Sequence, residues 1–216
     1  YMYMIFGIWS SFLGSSLSSI IRIELMNLNN NMNNNSIFYM IITIHAFIMI
    51  FFMTMPLIIG MMSNMFLPLM NNLNDLIFPR MNNLSFWILI PSLLFMLTNM
   101  FINNNINTGW TMYPPLINQN LLTMNFIIFS LHLNGISSIF SSINFISSIF
   151  LMKNNNFIII NLNLFSWSII ITSILIILSM PLLTSAITMI IFDNFLNSNF
   201  FNPLGNGNPI IYQHLF

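Results

Sequence analysis

Apolar runs long enough to cross a lipid bilayer follow one another along this chain, parted by Asn-rich breaks. A hydrocarbon core of about 30 Å needs around 20 apolar residues per helix. Runs over residues 1–23, 37–60, 84–102, 121–152 and 164–192 meet that requirement, and 209–216 opens another. The breaks fall at 26–35, 71–83, 103–120, 153–161 and 193–208. Charged residues make up 3% of the 216, against roughly 25% in a soluble domain. So few charges cannot coat a water-facing surface. The predicted fold is all-α: a polytopic transmembrane helix bundle with five spans plus the start of a sixth, forming a single membrane domain over 1–216 in contact with the lipid bilayer. Pro56 and Pro181 fall inside spans, where neighbouring helices re-satisfy a freed carbonyl. Trp87 and Trp167 lie near helix starts, where aromatic belts form.

Composition removes several function classes. Net charge is zero and no basic patch exists, so the electrostatic footprint of a nucleic-acid binder is missing. Absence of Cys excludes disulfide frameworks, thiolate zinc sites and Cys-held iron–sulfur clusters. No phosphate-binding Gly-rich loop, nucleophile elbow or HExxH helix is present. The chain has no Val, has Ala only at Ala46 and Ala186, and over-uses Met, Ile, Phe and Asn. That bias fits an A/T-rich organellar gene in which ATA is read as Met. The first run starts without Met or polar leader and the last is short, which reads as an internal segment of a longer chain.

Orientation rests on few charges. Asp75, Arg80 and Lys153 fall in even-numbered loops; Arg22, Glu24 and Asp193 fall in odd-numbered ones. The basic excess favours even loops and the N-terminus on the inner side.

Ionisable groups inside hydrocarbon are costly and point to function. His45 sits between apolar turns of the second run, and each ring nitrogen needs a partner there: haem iron, another metal, or a neighbouring helix. No run carries the two His that would hold two haems, as in cytochromes b, and His132 and His214 read as packed, hydrogen-bonded residues. Asp75 is either a proton entrance at a helix mouth or a surface partner of Arg80; the residues alone favour the ion pair. Ser137, Ser141 and Asn144 share a helical stripe, with Ser138 and Ser142 alongside. Such a stripe serves close helix packing or lines a file of waters.

Several collinear motifs resemble the cytochrome c oxidase subunit I family of haem–copper oxidases. They are Ser-Leu-Ser-Ser-Ile-Ile-Arg-Ile-Glu-Leu, Thr-Ile-His-Ala-Phe-Ile-Met-Ile-Phe-Phe-Met, Phe-Pro-Arg-Met-Asn-Asn-Leu-Ser-Phe-Trp, Gly-Trp-Thr-Met-Tyr-Pro-Pro-Leu, Phe-Ser-Leu-His-Leu-Asn-Gly-Ile-Ser-Ser, Ala-Ile-Thr-Met and Asn-Pro-Ile-Ile-Tyr-Gln-His-Leu-Phe. The likeness spans essentially the whole chain, from the first to the start of the sixth of the family's twelve helices.

The resemblance implies an oxidoreductase of the mitochondrial inner membrane. It takes electrons from cytochrome c through a copper centre on another subunit, reduces dioxygen to water and pumps protons. His45 matches the axial ligand of haem a iron, Arg22 the Arg bonded to the haem formyl, and Trp110 the Trp near a propionate. Asp75 matches the entrance of the family's D proton pathway. Asn64 and Asn82 match the amides beside that entrance, Tyr3 and Ser85 match polar residues further along, and Ser137, Ser138 and Asn144 match the upper part of the water file. The second haem, copper B and their ligands belong to positions past Phe216, so no catalytic residue of the dioxygen-reducing centre falls in this segment. Glu24 matches a carboxylate of an outer cation site, but Asn29 replaces the Gly whose carbonyl completes it. Phe38, with Tyr39 adjacent, stands where the family has a Tyr against haem a. The loop after Tyr113-Pro114-Pro115 is about three residues shorter than in the family. Family acids appear as Asn202 and Asn208, and another is gone, with Asn125 nearby. A haem-free transporter or structural membrane subunit, using His45 for packing, is the competing class.

Overall fold

A computed structural model describes residues 1–26, 35–102, 106, 108–114, 116–119, 121–151 and 162–216. Lys153, Asn29 and Pro115 lie outside the described residues. Five helices in the described residues are long and apolar enough to cross a membrane: α1 (Met2–Met26), α2 (Ser36–Met70), α3 (Pro79–Phe101), α4 (Leu121–Phe150) and α5 (Leu164–Phe195). A short sixth, α6 (Ile210–Leu215), follows. The all-α expectation holds, and two boundaries move by five residues or more. The second span runs on to Met70, through Pro68, and ends on Asn71. The third starts at Pro79 rather than at residue 84, because proline suits a first helical turn, whose N–H groups have no partner inside the helix.

Packing of α1 on α2 depends on small residues. Gly7, Ser10 and Gly14 are buried along one stripe of α1. A Cβ on Gly7 would meet the Leu57 side chain, and one on Gly14 would meet Met49. In lipid there is no hydrophobic drive between apolar helices, so close backbone approach and interhelical hydrogen bonds supply the association. The Ser10 hydroxyl lies 2.8 Å from the Phe52 carbonyl of α2 and 2.8 Å from the Gly7 carbonyl of its own helix. Pro56 supplies no N–H to the backbone ladder of α2. Around Pro56 the helix widens to five-residue turns over Ile48–Met62, a departure found where the regular hydrogen-bond ladder is disturbed.

α3 and α4 pair antiparallel along a polar seam that repeats every seventh residue. Ser137 donates to the Ser85 carbonyl at 2.6 Å, and Ser92 donates to the Ser130 carbonyl at 2.7 Å. Asn144 grips the Phe78 backbone at both its N–H (3.1 Å) and its carbonyl (3.3 Å). One heptad further, the same register sets buried Asn99 opposite buried Thr123. A period of seven keeps one side facing the partner along two crossing helices.

The two pairs meet near the start of α1. There Tyr3 bonds Ser85 at 2.6 Å, and its ring stands edge-on to Phe86. A Cβ on Gly60 would lie 2.6 Å from that same Tyr3 ring. Gly60→Ala therefore overpacks a rigid aromatic, and we expect a loss of about 1–3 kcal/mol, read as a lower melting temperature of the intact membrane protein. Gly14→Ala meets a flexible Met49 side chain and is expected to cost less. Equal loss from the two would contradict this packing.

Candidate functional site

His45 faces α1 from the first third of α2. Its Nδ1 lies 2.9 Å from the Gly14 carbonyl oxygen. A carbonyl only accepts, so in the neutral ring Nδ1 carries the proton and Nε2 holds the free lone pair. Gly14 does two things here: its missing side chain lets α2 approach, and its carbonyl sets the tautomer. Arg22 is exposed eight residues further along α1, roughly 12 Å along the axis at helical rise. Trp110 is half-exposed in the 108–114 segment beyond α3. Because α1 and α3 run parallel, Arg22 and Trp110 lie at the same end of the bundle. Glu24 is half-buried at the end of α1 and has a partner. Phe38 is half-buried, with its ring centroid 6.0 Å from that of exposed Tyr39.

The 108–114 segment is held by α6. Tyr212 is fully buried and donates its hydroxyl to the Thr111 carbonyl at 3.1 Å. Gln213 donates to the Tyr113 hydroxyl, and Phe216 lies against Trp110 with ring centroids 6.1 Å apart. Met112 is buried with φ of 46°, a left-handed conformation that a side chain rarely adopts. The loop before α6 is closed by Asp193, which accepts from the Ser198 hydroxyl and from the Phe200 and Phe201 N–H groups. Asn202 and Asn208 cap turns by accepting from Leu204 and Ile210 N–H. An amide oxygen accepts there as a carboxylate oxygen would, so these caps need no charge.

At the opposite end, the structure brings Asn64, Asn82, Tyr3, Ser85 and Ser137 into one connected network. Asn82 donates to the Asn64 side-chain oxygen at 3.1 Å, and Asn64 donates to the Gly60 carbonyl at 2.6 Å. Ser85 donates to the Asn82 carbonyl at 2.7 Å. Tyr3 joins Ser85, whose carbonyl takes the Ser137 hydroxyl. Asp75 stands in the loop ahead of this network, exposed, with one carboxylate oxygen on the Leu76 N–H at 2.7 Å. That loop is fixed from α4: Asn144 holds Phe78 and Ser148 accepts from the Ile77 N–H at 3.3 Å. Arg80 is exposed at the start of α3.

Of the serine stripe, Ser137 and Asn144 make the interhelical bonds of the seam. Ser137, Ser138 and Ser141 also line a cavity of about 20 Å³ between α4 and the α1–α2 pair. Packing and cavity lining thus coexist on one face. Buried Ser142 donates to the Ile139 carbonyl within its own helix. His132 bonds the Ile128 carbonyl at 2.8 Å and His214 is exposed, in keeping with the packed, hydrogen-bonded reading of His132. Among the described residues no group of three or more His, Cys, Asp or Glu could hold a metal ion by itself.

Sequence reasoning missed Ser10, Gly14 and Asn134. The last is buried and lines the cavity beside the serines. Its signal was present, since 134, 137 and 141 are spaced as one helical face. Backbone roles such as that of the Gly14 carbonyl leave no mark in side-chain chemistry.

The chain is 41% identical to cytochrome c oxidase subunit 1 of Yarrowia lipolytica over 220 aligned residues; the match covers all of this chain and 41% of the relative. It is 40% identical to the subunit of the same name from Eremothecium gossypii, again over all of this chain and 41% of the relative. With that of Pecten maximus the identity is 39%, covering all of this chain and 46% of the relative. The chain thus spans less than half the length of these curated relatives. The profile of the family described as Cytochrome C and Quinol oxidase polypeptide I matches residues 1–216. A match over every residue, on five apolar helices with their polar network, makes this chain a member of that family.

Proposed function

We propose that this chain forms part of the haem-binding and proton-conducting subunit of a cytochrome c oxidase in the mitochondrial inner membrane. In this reading the whole enzyme passes electrons from cytochrome c to dioxygen, forms water and pumps protons, working with other oxidase subunits. The carrying observation is the bond from His45 Nδ1 to the Gly14 carbonyl at 2.9 Å. Metal-ligating His characteristically donates its second ring nitrogen to such a carbonyl, which fixes the ring and leaves Nε2 for the metal. A lone imidazole suits an iron already held by a macrocycle, since no wider ligand cluster surrounds it among the described residues. The residues present therefore fit a haem, and His45 would hold haem a from one side. When bound, haem supplies a one-electron relay. Arg22 and Trp110, at one end of the bundle, would contact its formyl and propionate edge. The second haem and copper B belong, in this reading, to parts of the enzyme outside this chain.

At the other end, Asp75 is the exposed carboxylate that would take protons from water. Behind it the Asn64 and Asn82 amides orient waters by hydrogen bonding. Amides do not themselves exchange protons readily, whereas hydroxyls both donate and accept. Tyr3, Ser85, Ser137 and Ser138 are therefore the groups that continue a water file without placing fixed charge in hydrocarbon. Asn144 would act by holding the Asp75 loop against α4. Glu24 would contribute one carboxylate to an outer cation site.

In the full-length subunit within its assembled complex, His45→Ala is expected to abolish the low-spin haem absorbance. An unchanged spectrum would sink the ligand assignment and favour a haem-free membrane subunit. Asp75→Asn is expected to slow proton uptake by vesicle-reconstituted enzyme by roughly a hundredfold, the lower range for a positioned proton-transfer group, with the haem spectrum intact. Uptake at the normal rate would remove Asp75 from the pathway.

A further inference from the structure

We propose that Tyr212 is a positioning residue: its hydroxyl holds a strained turn closed, and that turn sets where the Trp110 indole stands. The turn runs from Gly109 to Met112, whose N–H reaches the Gly109 carbonyl at 3.3 Å, and Trp110 and Thr111 are its two central residues. Both ends lie in the left-handed region, Gly109 with φ of 68° and Met112 with φ of 46°. Glycine takes such an angle freely, whereas a residue with a side chain does not. A non-glycine residue stays there only where its surroundings over-determine it, and such residues gather at functional sites.

The surroundings that do so belong largely to α6. Met112 is fully buried in the same apolar cluster as Tyr212 and Phe201. The Tyr212 hydroxyl donates to the Thr111 carbonyl at 3.1 Å, one residue before the strained position. Its ring is held in turn, stacked on Phe216 and edge-on to Phe201 and Tyr113. Phe216 also lies against the Trp110 ring. One short helix thus fixes the turn through Tyr212 and the indole through Phe216. Trp110 is half-exposed, and its indole N–H makes no hydrogen bond among the described residues. An indole N–H is a donor only, which suits a carboxylate. The inference rests on the haem reading above: with Trp110 at a haem propionate, Tyr212 acts on the haem without touching it. Moving that N–H away withdraws a positive pole from beside the haem and favours ferric iron.

The test uses the complete assembled oxidase. Tyr212→Phe keeps the ring packing and removes only the hydroxyl. It should speed hydrogen–deuterium exchange of the 109–112 amides and lower the haem midpoint potential, with the low-spin spectrum retained. The reduction equilibrium should shift about fivefold, the effect of one hydrogen bond. Trp110→Phe should lower the potential by a similar amount, and the double variant should fall no further, because both changes remove the same interaction. Tyr113→Phe removes a neighbouring hydroxyl that accepts from Gln213, and should leave exchange of the turn and the potential unchanged. Exchange unaltered by Tyr212→Phe, or full addition in the double variant, overturns the proposal. Faster exchange at an unchanged potential, with the low-spin spectrum intact, also overturns it and leaves the His45 ligand standing. A low-spin spectrum that survives His45→Ala rejects instead the haem reading beneath it. Where Tyr212→Phe fails to assemble, a map of the unaltered enzyme decides: a Tyr212 hydroxyl out of reach of the Thr111 carbonyl contradicts the proposal.

Discussion

The close approach of α1 to α2 decides where the other polar groups lie. Gly7, Gly14 and Gly60 let the two backbones come together, and any Cβ at these positions would press into a neighbouring side chain. Two carbonyl contacts depend on that approach. The Ser10 hydroxyl reaches the Phe52 carbonyl, and His45 reaches the Gly14 carbonyl. Each contact joins the two helices by a hydrogen bond, a form of association that remains available in lipid. A few tenths of an ångström at Gly14 would loosen the ring that His45 presents. The intramembrane imidazole is thus oriented by the main chain of its neighbour.

The second pair of helices uses hydrogen bonds where the first uses glycine. Ser92 of α3 meets the α4 backbone, Ser137 of α4 meets the α3 backbone, and seven residues further on Asn144 extends the seam onto the loop that carries Asp75. Each interhelical bond of this kind averages only about 0.6 kcal/mol in a membrane. Their value lies in register. A slip of α4 by one residue would lose the Phe78 grip, the Ser85 contact and the serine lining of the cavity together. A surface carboxylate and an internal hydroxyl network are thereby fixed to the same helix.

Much of this was legible in the chain before any coordinates. The five spans follow from run length and absence of charge, and both properties are local. Boundaries were less legible. Asn71 opens a break in the sequence and is the cap of α2; the apolar run nevertheless ends at Gly60 by composition, whereas the helix continues through Ser63, Asn64 and Pro68. The polar content of those last turns hid a helix whose amides face Asn82. The serine stripe was visible as a period, but a period does not say whether it meets a helix or a space. Here it meets both, because Ser137 reaches α3 while Ser138 and Ser141 border the cavity toward α1 and α2. Asp75 and Arg80, five residues apart, suggested an ion pair from proximity in sequence; the described carboxylate contact is instead with the Leu76 N–H.

In the proposed reading the α1–α2 contact presents His45 Nε2 to a haem iron, and a map of the assembled oxidase at side-chain resolution tests this directly. Continuous density is expected from His45 Nε2 to iron, with Nδ1 still on the Gly14 carbonyl. A haem ligated by other residues, with the His45 ring turned away from the iron, would contradict it.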